Sequence, residues 1–307
     1  MFGGHTLIAE NGIILHESGS LTEPVELAVS DGDIEKLVHD RRLTSSFRDA
    51  PRPGAKPRIT EADLHDPAAR DLQRFIDPHP FVPADPSSRA RRCRAIFAMQ
   101  VGALGGKLRA SGIETPVMST SGGLDSTLAL LAAIKTTDHL GLPRQNVHAF
   151  STPGFGTTNR TKANAAKLCE ALGVAFREVN ITGASRAHLK DLRHGGEEDR
   201  VFENVQARYR TKFLFNKANA VGGILLGTGD LTEVALGWCT FSGDQLSHHH
   251  MNVLVPKTLV QYLIRWAADE ELAGSPAQAV RWTSWVRRYH RSYYALGVAR
   301  SCRKPKN

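Results

Sequence analysis

The chain has 307 residues, with 39 Lys plus Arg against 31 Asp plus Glu and a formal charge of +8. At 41% hydrophobic and 23% charged residues it has the make-up of an ordinary globular protein, long enough for one large domain and a smaller piece. No run approaches the roughly 18 apolar residues of a membrane helix, the N-terminus lacks a signal-peptide pattern, and four scattered cysteines exclude a disulfide scaffold or zinc ribbon and fit a reducing cytoplasm.

The positive charge is not spread evenly. Between Pro276 and Asn307 stand Arg281, Arg287, Arg288, Arg291, Arg300, Arg303, Lys304 and Lys306, and no acid. Without those eight the chain holds 31 bases and 31 acids. The tail also carries Trp282, Trp285, Tyr289, Tyr293 and Tyr294. Such a break in composition sets the tail apart from the body.

In chain order, two apolar-rich runs flank Asn11-Gly12 within His5–Glu17, which predicts a hairpin because a type I′ turn needs φ > 0 at both central residues. Val25–Val29 predicts a further strand and Asp33–Arg42 a charged helix. The prolines between Asp49 and Ser87 mark a linker. Arg89–Ser111 has apolar residues at helical spacing. A strand over Thr115–Ser119, a helix over Thr127–Thr136, a strand over Asn146–Ser151 and a helix over Lys162–Leu172 follow. Then come a strand over Val174–Asn180, a helix over Asn204–Asn219 and a strand over Gly223–Gly227. This alternation predicts an α/β fold with a doubly wound parallel sheet.

The sharpest motif is Ser119-Thr120-Ser121-Gly122-Gly123-Leu124-Asp125-Ser126, after a strand and before a helix. Two glycines permit a tight turn, and the helix N-terminus adds a dipole that favours an anion. Ser121 and Ser126 can donate hydroxyls to phosphate oxygens, and Asp125 can hold the accompanying Mg²⁺. Gly227-Thr-Gly-Asp-Leu-Thr-Glu233 also follows a strand and therefore stands at the carboxyl edge of the sheet, where doubly wound folds bind ligands. Asn204 and Arg208 lie four apart on one helix face. His248-His249-His250 reads as a polar loop, because adjacent residues in a strand point to opposite faces and do not converge on one ion. Cys239 shows no activating partner at a telling spacing.

Within the octapeptide, the hexapeptide Ser121-Gly-Gly-Leu-Asp-Ser126 resembles the signature of the N-type ATP pyrophosphatases, whose fold is adenine nucleotide alpha-hydrolase-like. Pro153-Gly-Phe-Gly-Thr-Thr158, Glu203-Asn-Val-Gln-Ala-Arg-Tyr-Arg210, Leu226–Glu233 with Leu236-Gly-Trp-Cys-Thr240, and Val255-Pro-Lys-Thr258 are similar to segments of glutamine-dependent NAD synthetase. Their order matches too, and the resemblance runs from about Pro83 to Trp266. It implies ATP-dependent amidation of deamido-NAD through an NAD-adenylate, with release of AMP and pyrophosphate. Ser119 to Ser126, Thr228 and Lys257 would bind ATP, with Asp125 and Lys257 catalytic. Asp125 and Glu233 would hold Mg²⁺. Asn204, Arg208, Glu233, Trp238 and Phe241 would border deamido-NAD, and Phe155 to Thr158 the adenine.

The family pattern is interrupted at both ends, as in a truncated or frame-shifted product. Residues 1–48 resemble only the closing hairpin of the nitrilase-like glutaminase domain that precedes the synthetase, residues 49–87 a linker, residues 88–266 the synthetase, and residues 267–307 a divergent basic tail. Glutamine hydrolysis is therefore not expected of this chain. Ammonia would come free or from a glutaminase in trans. A homo-oligomer in the cytoplasm is implied, with neither nucleic acid nor membrane as partner. The alternatives are an ATP-binding remnant with impaired catalysis and an adenylating enzyme of the tRNA-modifying type.

Overall fold

The computed structural model describes residues 5–17, 28–49, 54, 58, 60, 61, 74, 76–155, 159–275 and 278. Apart from Gln278, the basic tail beyond Ser275 lies outside the described residues. The chain divides into two compact units between Pro78 and His79. None of the described helices is long and apolar enough to cross a membrane.

In the first unit, β1 (Leu7–Glu10) and β2 (Ile13–Glu17) form the antiparallel hairpin expected around Asn11-Gly12. The φ values of +49° at Asn11 and +78° at Gly12 meet the left-handed requirement of the turn. Helix α1 (Ile34–Leu43) is capped by Asp33, whose carboxylate accepts from Lys36 N at 2.8 Å, and α2 (Ser45–Arg48) follows. The Glu10 carboxylate is enclosed by Arg74 at 2.8 Å and by the Asp33 N–H at 2.7 Å. Ala28 and Val29 are not in a strand, and the rest of the strand expected at Val25–Val29 lies outside the described residues.

The second unit opens with α3 (Pro86–Ser111). Asp85 caps its start, Pro86 fits its first turn, and Gly112 closes it in the left-handed conformation. There follow β3 (Pro116–Ser119), α4 (Leu124–His139), β4 (His148–Ser151), α5 (Asn159–Leu172), β5 (Ala175–Glu178) and α6 (Thr182–Asp191). Helix α7 (Arg200–Ala220), β6 (Ile224–Asp230), α8 (Leu231–Leu236), β7 (His249–Asn252) and α9 (Lys257–Trp266) complete it. The five strands are parallel in the order β5-β4-β3-β6-β7.

Alternation along each strand separates two buried layers. Met118, Ala149, Ile224 and Leu226 pack with Leu104 of α3, Leu128 of α4 and Leu263 of α9. Val117, Phe150 and Leu225 turn to the other face and meet Leu214 and Ala218 of α7. Helices thus cover both faces, as a doubly wound parallel sheet requires. Helix α4 is buried almost all round, with Leu128 to Ala133 at most 3% exposed, which explains its nearly continuous apolar sequence.

One helix is not anticipated by the sequence, and one local expectation needs correction. Helix α6 has no apolar stripe, since only Ser185 and Leu189 are buried, and its polar sequence carried no periodic signal. The histidine run is not a loop throughout. His249 and His250 begin β7, pairing with Leu226 and Gly227, so their backbone groups join the sheet ladder. His248 precedes the strand, and its Nδ1 accepts from Leu225 N at 2.9 Å.

Candidate functional site

The strand order reverses between β3 and β6. The chain leaves β3 toward β4 and β5, then returns beside β3 and continues to β7. Connections from adjacent strands diverge there, leaving a crevice outside the carboxyl ends where ligands bind in such sheets. Both motif loops border it.

After β3, Thr120 is fully buried, and its N–H donates to Phe150 O of β4 at 2.8 Å, anchoring the start of the loop. Gly122 takes φ +74°, which a side chain would oppose, whereas Gly123 is extended (φ −82°) and caps α4. The turn therefore needs one of its two glycines for conformation. Ser121 Oγ accepts from Gly123 N at 3.2 Å and lies 3.2 Å from Ser126 Oγ. Leu124 packs against the apolar core and turns Asp125 out in the first turn of α4. No side chain caps this helix, so its first-turn N–H groups are left for another acceptor.

After Leu226, the pairing of β6 with β7 is irregular between Gly227 and Asp230, a feature that re-aims side chains at the end of a strand. Asp230, fully buried, caps α8. Its Oδ1 accepts from Glu233 N at 2.9 Å, while Glu233 Oε2 accepts from Asp230 N at 3.3 Å. This reciprocal capping box aims the other Glu233 oxygen toward Lys257 at the start of α9.

Three carboxylates thus surround one ammonium. Lys257 Nζ hydrogen-bonds Asp125 Oδ2 and lies 3.0 Å from Asp230 Oδ2 and 3.7 Å from Glu233 Oε1. Burial pushes the Asp125 carboxyl above its ordinary pKa, with Lys257 opposing and Asp230 adding to the shift. Glu233 is raised for the same first reason. Burial disfavours the Lys257 charge, but the Asp125 and Asp230 carboxylates more than offset it and hold its pKa above that of an ordinary lysine. Asp125 Oδ1 is buried without a hydrogen-bond partner, and one oxygen from each acid lies within 4.8 Å of the others. Hard oxygen donors, an unsatisfied carboxylate oxygen and an excess of negative charge fit a small divalent cation such as Mg²⁺.

Beside this cluster opens a cavity of about 420 Å³, lined among others by Ser119, Thr120, Ser151, Arg210, Thr211 and Thr228. A second, of about 220 Å³, lies over Asp125, Ser126, Glu233, Cys239 and His250. Ser121, Ser126 and Thr228 border both. The Arg210 guanidinium donates to Thr152 O at 3.2 Å, and burial holds its pKa below the usual value.

Most of the remaining expected residues gather on or against the loop after α8. Trp238 and Phe241 are 76% and 77% exposed, so neither is core. Arg208 Nε donates to Phe241 O at 3.1 Å, and Thr240 Oγ1 donates to Asn204 Oδ1 at 3.0 Å. Asn204 and Arg208 do share one face of α7, and both brace the loop that carries the aromatics. Phe155 packs against Phe202 with ring centroids 5.0 Å apart and the planes tilted by 38°, while Gly156, Thr157 and Thr158 lie outside the described residues. Sequence reasoning passed over Asp230, Arg210 and Asn252 as site residues, and it read His250, which lines the smaller cavity, as part of a polar loop. The spacing Asp230-x-x-Glu233 is a capping-box signal that could have found the first.

A family model described as NAD synthase matches residues 96–277. The glutamine-dependent NAD(+) synthetase of Mycobacterium leprae is 45% identical over 274 residues, covering 86% of this chain and 40% of that protein. The NH(3)-dependent NAD(+) synthetase of Methanococcoides burtonii is 34% identical over 144 residues, 46% of this chain and 52% of that one. Among solved structures, the glutamine-dependent NAD+ synthetase from Acinetobacter baumannii in complex with ADP aligns with a TM-score of 0.56 and 27% identity, covering 62% of this chain and 35% of that one. The chain spans about two fifths of the length of the mycobacterial relatives it matches. With the family model over more than half its length and a parallel sheet that meets the family's motifs at its switch point, the chain belongs to the NAD synthase family.

Proposed function

We propose that this chain amidates deamido-NAD to NAD at the expense of ATP, using ammonia as nitrogen donor. The observation that carries the reading is the convergence of Asp125, Asp230, Glu233 and Lys257 at the mouth of the crevice that holds the phosphate-loop motif. The names of the relatives and the ADP complex of the Acinetobacter protein support it.

In this reading the larger cavity takes the adenosine of ATP, and the Ser119–Ser126 loop takes its phosphates on backbone N–H groups and the Ser121 and Ser126 hydroxyls. Thr228 faces the nucleotide from the neighbouring strand. Asp125 and Glu233 hold Mg²⁺, with Asp230 behind them; when bound, the ion neutralises charge on the phosphate oxygens and polarises them. The deamido-NAD carboxylate oxygen attacks the α-phosphorus, the bond to the bridging oxygen breaks, and pyrophosphate departs with the bonding electrons. Lys257 places positive charge beside that leaving group, an electrostatic contribution preorganised before the reaction begins. Ammonia then attacks the acyl carbon of the NAD-adenylate. AMP leaves with the electrons of the C–O bond, and the nitrogen sheds its extra proton to solvent. No protein nucleophile is needed.

Asn204 and Arg208 hold the loop whose Trp238 and Phe241 offer faces to the pyridine end of deamido-NAD, and Glu233 borders that substrate. The reading carries with it a cytoplasmic homo-oligomer, with ammonia drawn from solution or from a glutaminase in trans. The test is direct: the purified chain is given Mg-ATP, deamido-NAD and ammonium, and NAD and AMP are followed together. Equal accumulation of both is expected. ATP binding without NAD overturns the reading, and NAD formed from glutamine by the chain alone overturns the assignment of ammonia as donor.

A further inference from the structure

Ladder pairing between β3 and β6 ends at Met118 and Leu226. Beyond that pair the two catalytic loops diverge, yet the chemistry proposed above needs Asp125 on one and Thr228 to Glu233 on the other at a fixed separation. Lys257 joins the two loops through their carboxylates, and a second side chain bridges their backbones. Asn252, at the end of β7, is fully buried, and its Nδ2 donates to Asp125 O at 2.9 Å and to Thr228 O at 3.1 Å. Both of its amide hydrogens are thereby used, one on each loop.

The orientation of that amide is itself set. Gln100 on α3, 8% exposed, donates from Nε2 to Met251 O at 2.8 Å and to Asn252 Oδ1 at 3.0 Å. Because Met251 O can only accept, the Gln100 NH₂ must face this side, and the Asn252 oxygen must face Gln100. That leaves the Asn252 NH₂ pointing at the two loop carbonyls. A reversed Asn252 amide would set oxygen against two carbonyl oxygens in a closed interior, where an unmade hydrogen bond is costly. An aspartate could not serve, since an ionised carboxylate donates to neither carbonyl and would add charge beside the acidic cluster.

We propose that Asn252, oriented by Gln100, is a positioning residue that sets the spacing between the Ser119–Ser126 loop and the Thr228–Glu233 loop. It touches neither substrate nor reacting atoms. It acts through the backbone from which Asp125 and Thr228 project, and so governs how the two halves of the site close on one phosphate chain. This rests on the proposed synthesis of NAD for its kinetic consequence, but not for its structural one.

The experiment has two readouts on the full chain, with Asn252→Ala, Gln100→Met and the double variant. Amide hydrogen exchange reports the bridge without any turnover. Both single variants should raise exchange in segments 120–127 and 227–234 while leaving 259–264 in α9 unchanged. Steady-state kinetics report the consequence. Displacement of reacting groups by about 1 Å costs on the order of 10²-fold, so Asn252→Ala should lower kcat by about that factor with KM for ATP held within about threefold. Gln100→Met should lower kcat about tenfold in the parent and add nothing in the Asn252→Ala background, as two members of one chain of bonds do. Unchanged exchange in either loop segment, or exchange raised equally in α9, refutes the bridge. Raised exchange with kcat intact, with the loss confined to KM, or with multiplicative effects in the double variant refutes the positioning role. If the parent makes no NAD, the proposed function falls while the exchange data still judge the bridge. If Asn252→Ala does not fold, Gln100→Met judges both claims, because it leaves Asn252 in place.

Discussion

Replacing Lys257 with Met keeps the length and packing of the stem but removes the only positive charge that the described residues place among the carboxylates of the cluster. The cost follows from the geometry. Asp230 is fully buried 3.0 Å from Nζ, and the Lys257 side chain is 22% exposed. At an effective dielectric constant near 20, a charge pair at that distance is worth about 5 kcal/mol before screening. Removing one partner of a buried pair destabilises proteins by about 3–5 kcal/mol, and partial exposure of Asp125 and Glu233 places Lys257→Met near the lower figure. Its pH dependence has a defined sign. Asp125 and Glu233 already have raised pKa values in the folded chain, and loss of the ammonium raises them further. Groups raised on folding contribute stability that is present below the unfolded pKa and lost as pH rises through the folded one. The variant should therefore lose most stability at about pH 8 and less at about pH 5. Urea unfolding in EDTA at both pH values measures this. Saturating Mg²⁺ should recover much of the loss, since a ligand at a hundred times its Kd contributes about 2.7 kcal/mol. Equal stability of parent and variant in EDTA at both pH values would show that the cluster is not an electrostatic unit, and a loss untouched by Mg²⁺ would show that it does not hold the ion.

Glu233→Gln preserves the capping box, because glutamine also serves at its third position, so helix α8 should persist by circular dichroism while Mn²⁺ affinity measured by electron paramagnetic resonance falls at least about tenfold. In metal-free buffer the same variant should be no less stable than the parent above about pH 5, since it removes a carboxylate whose folded pKa is raised; clear destabilisation there would contradict the assigned direction. Gly122→Ala should cost about 1–2 kcal/mol from its left-handed φ and weaken ATP binding by calorimetry, whereas Gly123→Ala, in extended backbone, should show no such strain. Trp238→Ala, at an exposed position, should change stability by less than about 0.5 kcal/mol and raise KM for deamido-NAD with kcat nearly unchanged; a stability loss instead would make it a packing residue.

The fold was legible because its signals are local and repeat. Short apolar runs located four of the five strands of the sheet, while β7 begins in the histidine run read as a loop, and Asn11-Gly12 located the hairpin. Element ends were misjudged by one to several residues where caps decide them, as at α4, which begins at Leu124 and not at Thr127. Polar α6 gave no periodic signal at all. For the candidate site, the two glycine-containing loops stood out because close approach of backbone to an anion requires unusual residues at fixed spacing. What escaped notice depends on distant partners. Asp230 lay inside a quoted motif, but its place in the cluster follows from the irregular β6–β7 pairing and from a lysine 27 residues later. Asn252 sits 127 residues from Asp125, and nothing in Met251-Asn252-Val253 reveals which carbonyls its amide will meet.

The distribution of charge then bears on nucleotide selection. The formal +8 of the chain resides in the tail, whereas the candidate site sets three carboxylates against one ammonium. Such a cluster repels a bare triphosphate at close range, where low dielectric leaves charge weakly screened. Backbone N–H groups at the start of α4 and the hydroxyls of Ser121 and Ser126 can orient phosphates, but they carry no full charge to balance them. A divalent cation accompanying the nucleotide corrects both imbalances at once, since the same ion neutralises the acids and the phosphates. Under the proposed function, the acidic excess at the switch point therefore favours metal-complexed ATP over free ATP, and the basic tail need play no part in that choice.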